Sequence, residues 1–259
     1  MDLNSRTSIK ETERKFYNKC AEQQATKYKS WREIFSKYLK APYFAYLSKF
    51  PKEVGGDFRI LELCCGMGEF SFDISEITQA NVLATDISDK SIEVCRKQLV
   101  RCPNLDLTFL VSDVETLELS EKSFDVVCMS GSLSYIDLDV ILEKIKEWLK
   151  PEGSFICVDT LGYNPLYNAK RWCATFIWKT RTRQTFLGIP KMDTIERISR
   201  CFEKTEVNFF GIFAFMGPFL KLLIGDEKSA KFVNFLDRKF SFLKKYAFKF
   251  VLVGKKLQH

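Results

Sequence analysis

Residues 62–70 read ELCCGMGEF and follow directly on the apolar run FRIL of residues 58–61. The stretch offers a thiol pair, metal ligands, or a loop shaped to hold a cofactor. Adjacent cysteines rarely converge on one tetrahedral ion, no second ligand pair appears, and the sole histidine is His259, so no metal site is expected. A redox pair needs a CxxC arrangement or a positive surround, and the chain offers no CxxC. As a backbone shape the stretch is coherent. A strand ends, Gly66 and Gly68 permit a tight turn and close approach of a ligand, and a helix begins.

The neighbouring sequence supplies partners for that loop. From Phe58 onward, short apolar runs alternate with helical patterns. FRILEL, NVLATD, DLTFLVSD, FDVVCMS and SFICVD read as strands, with EFSFDISEIT, SDKSIEVCRKQLV and LDVILEKIKEWLK as the helices between them. Strands that are apolar nearly throughout are covered on both faces, and helical connections make neighbours parallel, which predicts a doubly wound α/β sheet. The second strand ends in Asp86, where a carboxylate can accept both ribose hydroxyls of a nucleoside. The third ends in Asp113, placed to read an adenine edge together with the adjoining main chain.

These features, in this order, resemble the class I S-adenosylmethionine-dependent methyltransferases over residues 58–160. The family's acidic-x-Gly-x-Gly-x-Gly loop corresponds to Glu62 through Gly68, with Cys64 where the first glycine stands; cysteine fits there unless φ is positive. FDVVCMSGSLSYI matches strand four and its loop, and LKPEGSF leads into strand five. The resemblance implies S-adenosylmethionine as cofactor and a mostly parallel seven-stranded sheet closed by an antiparallel C-terminal hairpin. Glu62, Gly66 and Gly68 are then implied at the methionine end, Asp86 at the ribose, and Asp113 with Val114 at the adenine. Ser130 and Gly131 are implied near the methyl group, Cys64 and Ile87 complete the cofactor shell, and Tyr17 resembles a lid aromatic on an N-terminal helix, with core packing as its plain alternative.

Methyl transfer from a sulfonium is an in-line displacement in which positioning and water exclusion carry most of the effect. An alcohol acceptor must also lose a proton. With only a terminal histidine, the candidate bases are Asp159 at the end of strand five, Tyr135 and Tyr163, Asp159 first; its plain alternative is capping the following loop. The tetrapeptide Asn164-Pro165-Leu166-Tyr167 is similar to a motif of amino-methylating nucleic-acid enzymes, but it follows strand five rather than strand four and reads as an Asn-Pro turn.

Three regions are expected: a helical N-terminal lid over 1–57, the cofactor-binding core over 58–160, and acceptor-binding elements with the last strands over 161–259. The lid should hold a helix over Thr12 to Lys29, then WREIFSKYLK, then a short segment after Pro42. Past Asp159 the strand–helix alternation lapses for some thirty residues, in which Tyr163, Tyr167, Trp172, Phe176 and Trp178 lie among Lys170, Arg171, Lys179, Arg181 and Arg183. Aromatic faces suit sugar or base stacking and cations suit phosphate. A helix over Met192 to Phe202 and strands EVNFFGIFAF and YAFKFVLVGK follow. This acceptor block also looks like bacterial methyltransferases of surface glycan assembly.

The expected reaction is O-methylation of a glycan, a lipid-linked sugar or another small molecule. The alternatives are N-methylation of a small molecule or nucleic acid, or an NAD-binding oxidoreductase that would share the loop and Asp86. Nucleic acid is not the expected partner.

Charge and composition set the location. The net charge of +7 divides into an excess of 6 cations over residues 1–59, 11 anions over 60–160 and 12 cations over 161–259, so an anionic partner would meet the ends. Nine cysteines, an odd number without regular spacing, suit a reducing compartment. The polar N-terminus lacks a secretory pattern, and no apolar run is long enough to span a bilayer, which predicts a cytoplasmic protein. The run FFGIFAFMGPFLKLLIG, followed by DRKFSFLKKYAFKF, has two readings: a buried strand and core helix, the favoured one, or a segment at the inner face of an anionic membrane.

Overall fold

The structure, a computed structural model, describes residues 3–24, 30–177 and 182–256. Seven strands form one sheet in the order β3-β2-β1-β4-β5-β7-β6. Strands β1 (Arg59–Leu63), β2 (Asn81–Asp86), β3 (Leu107–Val111), β4 (Phe124–Ser130) and β5 (Leu149–Thr160) are parallel, and β7 (Lys249–Lys255) runs antiparallel between β5 and β6 (Lys204–Phe210). This is the Rossmann-like arrangement of methyltransferases, with the antiparallel hairpin that the resemblance implied.

Each face of the sheet is covered. Leu61, Leu63, Val127, Met129, Phe155 and Cys157 point into one core, closed by α6 (Leu138–Trp148) and α9 (Met192–Arg200). Their neighbours Ile60, Val82, Ala84, Val126, Cys128 and Ile156 point into the other, closed by α3 (Lys37–Leu47), α4 (Ser71–Thr78) and α5 (Asp89–Leu99). The two-residue period of a strand makes this division, and helices on both faces make the strand interiors largely apolar on both sides. All nine cysteines are free thiols.

Several elements differ from the sequence expectation. The first helix, α1, covers Leu3–Gln24, and residues 25–29 lie outside the described ones. WREIFSKYLK divides into α2 (Trp31–Ile34) and the start of α3, which continues through the buried Pro42 instead of breaking there. Packing against the strand β5–β7–β6 side of the sheet outweighs the one backbone bond that proline removes. Strand β6 stops at Phe210, where Gly211 turns with φ of 75° and a short 3-10 turn follows, so residues 211–215 are not strand.

The segment after β5 is largely helical. Helix α7 (Pro165–Phe176) and the short α8 (Arg183–Leu187) occupy the stretch where the alternation lapses, and Trp178, Lys179 and Arg181 fall outside the described residues. Asn164 is the N-cap of α7, its side chain accepting from the Leu166 amide at 3.1 Å, and Pro165 takes the first helical turn. The Asn-Pro turn is thus a helix start.

The longest correction concerns residues 217–239, which form α10, kinked at Gly225. Its first half was favoured as a core helix, yet Phe219, Leu222, Leu223 and Ile224 are all exposed. Only the back of the helix, through Gly217, Ser229 and Val233, is buried, largely against α3.

Candidate active site

The turn between β1 and α4 is built from three residues of left-handed conformation: Cys64 with φ of 56°, Gly66 with 56° and Gly68 with 78°. Cys64 therefore occupies the region that glycine adopts freely and other residues adopt at a cost of about 1–3 kcal/mol. The two glycines are required for different reasons. A Cβ on Gly66 would meet no atom within 4 Å, so its Hα faces open space at the mouth of the cleft. A Cβ on Gly68 would lie 2.9 Å from the Phe72 ring and 3.2 Å from the Cys95 sulfur, so Gly68 serves packing beneath the loop and does not face the ligand.

A cleft of about 360 Å³ opens above this turn, at the carboxyl ends of β1, β2, β3 and β4. Its size is that of a site for one cofactor-sized molecule. Of the sequence candidates, Tyr17, Glu62, Cys64, Gly66, Asp86, Ile87, Asp113, Val114, Ser130, Gly131 and Tyr135 line it; Gly68, Asp159 and Tyr163 do not.

Five acidic residues line the cleft, Glu13 and Glu69 beside Glu62, Asp86 and Asp113. Glu62 is 1% exposed and accepts from the Ser71 hydroxyl. Burial, against that hydrogen bond and reinforced by the nearby Glu69 and Asp86, pushes its carboxyl up to about 8. Asp86 accepts the Gly66 amide on one oxygen and the Ser88 amide on the other, each at 2.8 Å, so the second strand clamps the turn leaving the first. Burial still raises its pKa despite those amides. Asp113 accepts from the Glu115 amide at 3.0 Å and from Lys10 at 3.2 Å.

Helix α1 forms the fourth wall, and most of its contribution was not legible in the sequence. Lys10, Glu13, Phe16, Cys20 and Ala21 line the cleft beside Tyr17, recurring at helical spacing along one side of α1. The stripe mixes charge with apolar surface, so hydrophobic periodicity does not reveal it. Polar contacts fasten the helix: Lys10 pairs with Asp113 and, at 2.8 Å, with Glu115, while Arg14 and Asn18 both bond Asp89. Burial raises the Glu13 carboxyl, which accepts from the Thr182 hydroxyl of the segment ahead of α8.

The loop after β4 is set by Asp159. That carboxylate, 2% exposed, accepts the Leu133 amide at 2.8 Å and the Thr160 amide at 2.5 Å. Asp159, the first-choice base, lies outside the cleft; of its two amide contacts only that to Thr160 begins the loop that follows it, and the other holds the loop after β4. Tyr163 is exposed on the approach to α7, while Tyr135 lines the cleft with its hydroxyl 2.5 Å from that of Tyr17. Gly188 seats α8 against the Ser134 carbonyl, which brings the segment after β5 to the same rim. Among the described residues no His, Cys, Asp and Glu cluster could hold a metal ion.

A left-handed turn after the first strand, clamped by the acidic end of the second and opening on a cleft at the carboxyl edge of this sheet, is an arrangement similar to the core of class I methyltransferases. Residues 60–153 match the family model of the methyltransferase domain. Curated relatives match a part of the chain of similar extent. One is the demethylmenaquinone methyltransferase of Lactococcus lactis, 33% identical over 39% of this chain and 41% of its own length. Another is the probable phthiotriol/phenolphthiotriol dimycocerosates methyltransferase 2 of Mycobacterium ulcerans, 35% identical over 39% of each. The chain thus spans about two fifths of the length of these relatives. In overall fold it is similar to the geranyl diphosphate C-methyltransferase of Streptomyces coelicolor, solved with S-adenosyl-L-homocysteine, with a TM-score of 0.59 and 14% identity over 85% of this chain and 80% of that one.

Proposed function

We propose that the chain is an S-adenosylmethionine-dependent methyltransferase acting on an oxygen of a small amphiphilic molecule, with a lipid-linked sugar or other glycan within that class. The observation that carries the reading is the convergence of the left-handed turn at Cys64 and Gly66 with Glu62, Asp86 and Asp113 on one cleft. The residues fit the cofactor: open space at Gly66 admits a close approach, and buried carboxylates suit a ligand that carries an ammonium and a sulfonium. Bound there, S-adenosylmethionine supplies an electrophilic methyl carbon on a sulfonium.

The chain's own residues divide the remaining tasks. Glu62 and the turn hold the amino-acid end, Asp86 and Ile87 the ribose, and Asp113 with Val114 the adenine. Ser130 and Gly131 border the reacting end. Tyr135, whose hydroxyl accepts from that of Tyr17, would take the proton of an acceptor hydroxyl as its phenolate, its own proton having passed to solvent, and α1 closes the cleft against water. Asp159 positions the loop that carries Tyr135. The region from 161 onward supplies the acceptor side, and the names of the relatives, a quinone, a lipid and a prenyl diphosphate methyltransferase, favour an acceptor with apolar bulk. The reading places the chain in the cytoplasm, at the inner face of the membrane. No helix among the described residues is long and apolar enough to cross one.

Calorimetry with S-adenosylmethionine and S-adenosylhomocysteine tests the cofactor assignment, and labelled donor offered to quinols, lipid-linked sugars, free glycans and RNA tests the acceptor. No heat with either nucleoside, on folded protein, overturns the first. Transfer to RNA alone overturns the second.

A further inference from the structure

We propose that the face formed by α10 and the turn after it docks the protein on an anionic lipid surface, with the cleft edge of the sheet toward the bilayer. In the first half of α10, Phe219, Leu222 and Leu223 recur at the three- and four-residue spacing of one helix side, and they are 64%, 85% and 65% exposed. Ile224, next in sequence, is exposed too, as is Phe242 in the turn after the helix, and Leu222 is the most exposed large apolar side chain among the described residues. Contiguous apolar exposure of this kind marks an interaction surface.

Charge selects the occupant. Lys228, Lys231, Arg238, Lys239, Lys244 and Lys245 are all exposed, and none has an ion-pair partner among the described residues. Of the three acids of the same region, Asp226 and Asp237 are half-buried, and Glu227 is exposed but ion-paired. Asp226 accepts the Lys37 amide, Glu227 pairs with Lys37 at 3.5 Å, and Asp237 accepts the Gly211 and Phe213 amides. The exposed side chains are apolar ones amid those six cations and the single paired acid Glu227, the composition of an interfacial helix on acidic headgroups. Two copies of this face would set like charges against one another, which disfavours a second copy as the occupant.

Topology gives the surface its orientation. β7 is antiparallel to both β5 and β6, so β6 runs with β5, and its carboxyl end at Phe210 lies on the edge where β1 and β4 open the cleft. The chain leaves that end through Gly211 into α10. The segment that meets lipid therefore departs from the cleft's own side of the sheet, and an amphiphilic acceptor can enter from the bilayer. This last step rests on the proposed methyltransferase activity; the docking does not.

Co-sedimentation of the full chain with vesicles of phosphatidylcholine alone, and of phosphatidylcholine mixed with phosphatidylglycerol, tests the proposal at low and at physiological salt. Binding is expected only to the acidic vesicles and weaker at the higher salt. Leu222→Glu with Leu223→Glu, and separately Lys244→Glu with Lys245→Glu, should each weaken partitioning by at least about tenfold. Circular dichroism and S-adenosylhomocysteine calorimetry on the same samples show that the fold and cleft are unchanged. No sedimentation with acidic vesicles at low salt, equal binding to neutral ones, undiminished binding by both variants, or a dimer that Leu222→Glu with Leu223→Glu dissolves in the absence of vesicle binding would each overturn it. Loss of nucleoside binding with vesicle binding intact would instead count against the cofactor reading alone.

Discussion

The hydroxyl of Tyr17, on α1, meets the hydroxyl of Tyr135, on the loop after β4, at 2.5 Å, with the two rings edge to face at a centroid separation of 5.5 Å. This clasp joins the covering helix to the reacting end of the cleft. Its two members have different expected roles. Tyr135→Phe removes the proposed proton acceptor and should lower kcat by about 10²-fold or more, leaving S-adenosylhomocysteine affinity near that of the parent protein. Tyr17→Phe removes only the partner and should act chiefly on KM. Steady-state kinetics with the acceptor found by the screen separates them, and equal loss from both variants would make the pair a purely structural clasp.

Cys64 holds a backbone conformation that suits glycine. Cys64→Gly should raise stability by up to about 1 kcal/mol, the relief of strain being partly offset by greater freedom of the unfolded chain. A branched side chain is worse placed, and Cys64→Val should cost about 1–3 kcal/mol. Urea unfolding measures both. The same burial that encloses this thiol raises it to about 12, so at neutral pH it should resist alkylation in the folded protein.

Glu62 couples the cleft to pH. Its folded-state pKa of about 8 stands above the ordinary 4.5, so the folded state holds that proton more tightly than the unfolded chain. Its contribution to stability is complete below 4.5 and is lost as pH rises toward 8. A cationic ligand favours the ionised form, so binding should release a proton from Glu62 and tighten as pH rises through this window. Calorimetry in two buffers of different ionisation enthalpy reads that proton directly. Glu62→Gln should abolish the release and flatten stability across the same range.

The glycines of the turn should separate binding from folding. Gly66→Ala adds a methyl group that meets nothing in the protein, so it should fold with a loss of about 1 kcal/mol and fail to bind S-adenosylhomocysteine. Gly68→Ala drives a methyl group against Phe72 and Cys95 and should lose about 2 kcal/mol or more before any effect on binding is considered. Thermal unfolding with and without the nucleoside distinguishes the two.

How far the sequence spoke depends on what each element buries. Strands Asn81–Asp86 and Phe124–Ser130 could be read to the residue, because a strand covered on both faces is a nearly unbroken apolar run with polar ends. Asp86 and the glycine turn could be placed because their chemistry is local to the chain. Helix α7 could not be read. Its buried positions are Tyr167, Arg171 and Thr175, and Arg171 lies inside by donating to the Leu161 carbonyl and to Asn168, so no apolar stripe announces the helix. The cleft-facing side of α1 was hidden for a similar reason, since Lys10 and Glu13 find their partners a hundred or more residues away. Asp159 misled because a carboxylate at a strand end suits either chemistry or the restraint of a loop, and only the Leu133 amide discriminates.

The strand inserted between β5 and β6 is the seventh in chain order, and it is the sole neighbour of β6. On the ribosome the five parallel strands can therefore assemble while residues 204–210 wait unpaired, and the hairpin closes only after 249–255 emerge from the exit tunnel. Until that moment the edge of β5 is bare, a template for another nascent chain. Synthesis that stalls or ends between β6 and β7 should accordingly give a species that chaperones retain, even though every residue lining the cleft has already been made.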